Sequence, residues 1–174
     1  MIVRISRNAL LCLPLFLLSG CGLFHATAQG TASVAKAIFY RQVETLHLTF
    51  AARSAINADD AQEAMPLRVR VLQLNDRKTF DNTGYTDLLM QPDIVLKDSL
   101  VTQRVLSVYP GQTIKLDIPM DKKAQFVAVV GLFRKPDRIR SSWKQVLSRD
   151  DLDPDKPRII EIRNNTLLLK PVKE

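Results

Sequence analysis

Thr45-Leu46-His47-Leu48-Thr49-Phe50-Ala51-Ala52 decides the fold. Leu46, Leu48, Phe50 and Ala52 alternate with Thr45, His47, Thr49 and Ala51, an apolar period of two rather than 3.6. Successive side chains of a strand point to opposite faces, so this pattern predicts a half-buried strand. The same period recurs down the chain. Pro66 opens a second run, where Leu67, Val69 and Val71 alternate with Arg68, Arg70 and Leu72 before Gln73 and Leu74. Proline is tolerated there because a strand's first residue need not donate to the ladder. Runs at Leu100 to Tyr109 and Thr113 to Ile118 flank Pro110-Gly111, a pair that presets φ and supplies a positive φ for a tight turn. Phe126 to Phe133 is the most continuously apolar run; its valines and short length predict a central strand buried on both sides. Ile159, Ile160 and Ile162 precede an Asn164-Asn165 hairpin turn and a last strand at Thr166 to Leu169. Short strands at regular spacing with one buried face each predict an all-β fold, a two-sheet β-sandwich.

The N-terminus carries a different signal. Arg4 and Arg7 precede an apolar stretch from Ala9 to Leu18, broken by Pro14, and then Leu18-Ser19-Gly20-Cys21. A positive segment, a short apolar segment and small residues at the cut form a bacterial export signal over residues 1–20. The apolar run falls short of the roughly 20 residues that a bilayer span needs. Leu-Ser-Gly-Cys is similar to the lipobox of bacterial lipoproteins, which are cut before the cysteine and acylated on it. That resemblance makes Cys21 the lipidation site, and several acyl chains hold a durable anchor where one would not. Gly22, where an inner-membrane lipoprotein of this kind carries aspartate, points to the outer membrane.

Cleavage removes two of the 25 basic residues and none of the 18 acids, so the net charge falls from +7 to +5. Such a mild excess in an exported protein indicates solubility or attraction to acidic partners and lipid head groups, with no role for nucleic acid. Of the two cysteines, Cys12 leaves with the signal and Cys21 takes lipid, so no disulfide and no thiolate site remains. Residues 21–43 read as the lipidated cysteine and a tether. Val34, Ala35, Ile38 and Phe39 at helical spacing allow a short helix over 32–43, frayed or continuous with the next strand. The folded domain is read as residues 44–174.

Two connections stand out. Residues 53–65 are long for a link between strands and hold Asp59, Asp60 and Glu63. Long loops on a rigid scaffold are where binding residues concentrate. A solvated loop or a helical turn at Asp59 to Ala64 accounts for the same residues. The acids lack the fixed ligand spacing of an EF-hand, so no metal is expected. Arg134 to Lys144 holds five basic residues, one acid at Asp137, and Trp143. Trp143 with Arg134, Arg138 and Arg140 suits a cation–π or partner patch; the plainer reading has Trp143 sealing the sandwich end while its basic neighbours face water. Residues 77–91 read as short helix and turn, with Thr83 or Thr86 as cap and Pro92 as terminator. Residues 150–157 read as a rigid polar loop.

Catalytic constellations are lacking in the sequence. There is no Gly-x-Ser-x-Gly elbow, Walker loop or His-Glu-x-x-His. Of the two histidines, His25 lies in the tether and His47 has no evident nucleophile beside it. Asp59/Asp60 and Asp150/Asp151 are adjacent loop acids, which serve as solvated charge more often than as acid and base. No enzyme activity and no cofactor beyond the lipid on Cys21 are expected. Without the resemblance below, an outer-membrane lipoprotein binding a small ligand or peptidoglycan, or a pilotin-like assembly factor, would fit the same features.

Pro66-Leu67-Arg68-Val69-Arg70-Val71-Leu72-Gln73-Leu74, then Asp87-Leu88-Leu89, Pro110-Gly111, Val130-Gly131-Leu132-Phe133-Arg134 and Trp143-Lys144 occur in one order behind the lipobox. Over roughly residues 44–170 this resembles the TssJ family, outer-membrane lipoproteins of type VI secretion systems. The usual Gly-Arg-Pro-Ser before the second strand is Gln62-Glu63-Ala64-Met65 here, the usual tyrosine before Gln-Leu is Leu72, and the usual arginine after the tryptophan is Lys144. The resemblance implies a transthyretin-like β-sandwich with a short helical insertion and no catalysis. It implies a place on the periplasmic face of the outer membrane. There the domain would bind the periplasmic part of TssM, with TssL reached indirectly through the membrane complex. In that family the loop between the first two strands meets TssM. Carried over, Asn57, Ala58, Asp59, Asp60, Gln62 and Glu63 are the expected contacts.

Overall fold

The computed structural model describes residues 42–172. The signal peptide at 1–20, Cys21 and all but the last two residues of the helix expected over 32–43 lie outside the described residues. The strands are β1 (Thr45–Ile56), β2 (Leu67–Leu74), β3 (Leu100–Val108), β4 (Thr113–Pro119), β5 (Phe126–Gly131), β6 (Lys144–Ser148), β7 (Arg158–Asn164) and β8 (Thr166–Leu169). Between β2 and β3 run three short helices, α1 (Lys78–Asn82), α2 (Tyr85–Met90) and α3 (Pro92–Val95). One sheet has the order β4-β1-β7-β8 and the other β3-β2-β5-β6. The chain is a two-sheet β-sandwich, with β1 and β7 parallel and the other pairs antiparallel.

The period of two is spent as alternation predicts. Leu46, Leu48 and Phe50 of β1 are fully buried, as are Ile160 and Ile162 of β7 beside them. Val69 and Val71 of β2 and Val127 and Val129 of β5 meet them from the other sheet. Gln73 shares that inner face and is buried, with its amide bonded at both ends. Its Nε2 donates to Pro119 O across the sandwich at 2.8 Å, and its Oε1 accepts from Asp121 N at 2.8 Å. Bonds at both ends of the buried amide offset its desolvation and tie the two sheets together.

The second sheet is covered on its outer side too. Leu72, Leu74, Ala128 and Val130 point away from the sandwich core yet are fully buried. Phe80, Leu88 and Leu96 of the helical insertion are buried with them, and Arg70 donates to the carbonyl of Leu88. This double cover is why Phe126 to Gly131 reads as an unbroken apolar run.

Several expectations need correction. β1 continues to Ile56, so residues 53–56 are strand and the connection is 57–66. Its register against β7 shifts between Ala52 and Ile56, which breaks the visible alternation there. Residues 144–148 form β6, which was not foreseen. Its outer positions, Lys144, Val146 and Ser148, mix polar with apolar, and Lys144 bonds the insertion. α2 ends at Met90 with Gln91 as its C-cap, directly before Pro92 as expected, but Pro92 also opens α3, where the missing N–H costs nothing. Gly84, not a threonine, sits at the start of α2. β5 stops at Gly131, two residues short of the expected end.

Candidate functional site

The chain enters the sandwich at Val43, beside the start of β1 and the end of β4, where Met120 N bonds Glu44 O at 2.8 Å. β1 then rises about 3.3 Å per residue, roughly 36 Å in all, before the connection to β2 begins. Four connections gather at that far end. Asn57 N bonds Asn164 O at 2.8 Å, which brings in the β7–β8 hairpin. Gly111 N bonds Arg53 O at 3.0 Å, which brings in the Pro110-Gly111 turn. Asn57 Oδ1 accepts from Arg134 N at 2.8 Å, which brings in the β5–β6 connection.

Asn57 organises this end. Its backbone is left-handed, with φ 48, a conformation asparagine tolerates better than most residues. Its side chain is spent inward, Nδ2 donating to Pro66 O at 2.9 Å. Asn57 is only 4% exposed, so its expected role as a direct contact gives way to a structural one: it sets where the loop leaves and returns. The exposed acids follow from it. Asp59 Oδ1 accepts from Ala61 N and Glu63 N, both at 2.9 Å, and Asp59 N bonds Glu63 O at 3.0 Å. The turn closes with Gln62 at φ 65. Ala58 and Asp59 are half-buried, whereas Asp60, Gln62 and Glu63 face solvent.

Asp60 reaches the other connection. Its Oδ1 lies 2.6 Å from Lys135 Nζ, and that hydrogen bond together with the lysine charge holds the Asp60 carboxyl below its ordinary range. Both side chains are well exposed, so the pair fixes geometry more than it stabilises. The acidic loop and the basic segment, far apart in sequence, are thus one surface. Nothing in either stretch alone signals this, because the link is a cross-sandwich contact.

The basic segment turns around Asp137, whose Oδ1 accepts from Ile139 N at 3.1 Å and Arg140 N at 3.0 Å. Behind it Trp143 is buried, its ring edge-on to Tyr85 at 5.0 Å and 83°. Tyr85 OH donates to Phe133 O at 2.5 Å, and burial raises the phenol's pKa. The Arg138 guanidinium stands over the Tyr85 ring, 5.9 Å from its centre. Trp143 is buried against Tyr85 of the helical insertion, and both rings carry a cation. Lys144 Nζ stands 5.1 Å from the ring centres of Trp143 and Phe80. The same Nζ donates to the carbonyls of Phe80, Asp81 and Thr83 at 3.2, 2.9 and 3.3 Å, tying down the end of α1.

His47 bonds Asp117 across the β1–β4 ladder, Nδ1 to Oδ1 at 2.5 Å, with no nucleophile in the arrangement. Among the described residues no group of His, Cys, Asp or Glu is placed to hold a metal ion.

Residues 44–165 match a profile of the family described as type VI secretion lipoprotein, VasD, EvfM, TssJ, VC_A0113. The chain belongs to this family. Its sandwich is similar to a chain in a solved structure titled "T6SS protein TssM C-terminal domain (869-1107) from EAEC", at 37% identity and TM-score 0.67, covering 75% of this chain and 100% of that one. A chain of a structure titled "Type VI membrane complex" is similar at 38% identity and TM-score 0.72, again over 75% and 100%. The lipoprotein TssJ1 of Pseudomonas aeruginosa shares the fold at 22% identity and TM-score 0.60, covering 75% of this chain and 98% of that one. No curated protein sequence matches the chain. This type VI secretion lipoprotein has the all-β sandwich and helical insertion that its strand pattern and its resemblance to TssJ predict.

Proposed function

We propose that this lipoprotein is held on the periplasmic face of the outer membrane by lipid on Cys21 and binds the periplasmic part of TssM through the 57–66 connection. It thereby anchors the type VI membrane complex, and TssL is reached through TssM. The observation that carries this reading is the separation along β1. The described chain enters the sandwich at Val43, on the side from which a lipid on Cys21 would be tethered, and the exposed loop lies a full strand length away. A protein that joins a membrane to a partner across a gap needs its two attachments at opposite ends. The matches at 37% and 38% identity, to chains of structures titled for the TssM C-terminal domain and the membrane complex, support the choice of partner. The arrangement acts by binding, with no cofactor beyond the lipid and no catalytic step.

The experiment replaces residues 58–64 by a short Gly-Ser link in the full-length lipoprotein, leaving Ile56 and Asn57 in place. Affinity for the soluble periplasmic part of TssM is expected to fall at least tenfold while the thermal midpoint stays within a few degrees. Unchanged affinity would remove the loop from the interface.

A further inference from the structure

We propose that the far end of the sandwich is a contact surface of two signs, and that the Asp137-centred turn is its second half. The proposal rests on the reading that the 57–66 loop meets TssM, and it extends that contact to a patch the loop does not contain. Asp59, Asp60 and Glu63 make one half acidic, and Arg134, Lys135, Arg138 and Arg140 make the other basic. The halves are joined by the Asp60–Lys135 ion pair and by the bond from Arg134 N to Asn57 Oδ1.

The basic half is built to be met. Its one acid, Asp137, is taken up by the backbone of Ile139 and Arg140. Arg134, Arg138 and Arg140 form no ion pair with a described residue. At the crest stands Ile139, 97% exposed and held out by the turn between two arginines. A single exposed aliphatic is ordinary, but one on a pinned turn flanked by two arginines without an ion-pair partner among the described residues is a ready anchor. Beside it opens a cleft of about 410 Å³, walled by Tyr85, Arg138, Ser141 and Trp143 among others, and Trp143 Nε1 is buried without an acceptor.

The partner surface that fits is an apolar socket rimmed by carboxylates facing the turn, with basic groups facing the loop. Like charges set opposite each other are strongly unfavourable, so a surface of two signs admits TssM in one orientation only. Lys135 marks the seam: it belongs to the basic half and is spent on the acidic one.

The test measures binding of the full-length lipoprotein to the periplasmic part of TssM. The variants are Ile139→Asp, Arg140→Glu and the double Arg138→Glu/Arg140→Glu. Each of the first two is expected to weaken binding about tenfold and the double more. The double variant should also bind with a flatter dependence on salt. Trp143, the protein's one tryptophan, reports by fluorescence that the fold behind the turn is intact. Wild-type affinity in all three variants, alongside loss in the 58–64 replacement, overturns the second half and leaves the loop reading standing. Absence of any binding by the wild-type protein overturns both.

Discussion

On the outer side of the β3-β2-β5-β6 sheet, Leu72, Leu74, Ala128 and Val130 are buried beneath the helical insertion, while on the outer side of the β4-β1-β7-β8 sheet Ile159 and Leu168 remain 41% and 42% exposed. Both sheets present the same kind of inner face to one core. The covered sheet gains a second apolar layer, sealed by Phe80, Leu88 and Leu96. The open sheet manages its outer face with charge instead. Glu161 is there, only 3% exposed, but its cover is polar: Arg53, Arg163 and Lys170 close over it. Burial under hydrocarbon and burial under guanidinium look alike by accessibility, yet they differ in energy. The first draws on the hydrophobic effect, and the second on partly solvated ion pairs that contribute little each.

The contrast can be broken at four positions. The largest effect is expected from Leu88→Ala, which empties the layer between α2 and β2 and should cost about 2–5 kcal/mol. Leu168→Ala on the open sheet should change stability by less than about 0.5 kcal/mol. Equal urea midpoints for the two variants would erase the distinction between the faces. Gly131→Ala is next. A Cβ built there meets the Phe133 ring at 2.5 Å, and that ring is itself buried, so the strand end must shift. A loss of about 1–3 kcal/mol is expected for such overpacking. A wild-type melting temperature would show that the ring moves aside freely.

The smallest effect at neutral pH sharpens the other face. Hydrogen bonds from Arg163, Lys170 and Arg53, in that order, hold the Glu161 carboxyl well below the ordinary carboxylate range. A carboxyl depressed on folding contributes stability above its unfolded pKa and loses it as the pH falls toward the folded value. Wild type should therefore lose stability on acidification below the ordinary carboxylate range, and Glu161→Gln should lose less. Denaturant midpoints at pH 7 and pH 3 give the comparison; parallel pH profiles would mean the cluster is electrostatically idle.

The two faces also explain which strands were legible. β1 and β4 set a polar face against an apolar one, so their alternation shows. β5 has no polar face, and its unbroken valines predicted as much. β6 hid because its outer face mixes polar with apolar: Lys144 is polar, yet it is committed to three carbonyls at the end of α1. The end of β1 hid because the register against β7 shifts after Ala52 and leaves Arg53, Ser54 and Ala55 exposed. The candidate site was legible as a loop with acids. Asn57 was misjudged as a contact because sequence shows a polar residue in a connection, not that its amide is spent on Pro66 and Arg134.

By itself the sequence determined what depends on neighbours along the chain. The period of two made strands, Pro110-Gly111 and Asn164-Asn165 made turns, and Leu-Ser-Gly-Cys resembled a lipidation signal. Motif order added the family resemblance. Only the tertiary structure decided what depends on distant segments meeting. It placed Asp60 against Lys135, put the loop at the end of β1 away from Val43, and laid the insertion on one sheet and not the other. Local pattern fixes which way a side chain points. Which segment lies there to meet it is set by the packing of the whole core, and no window of sequence contains that.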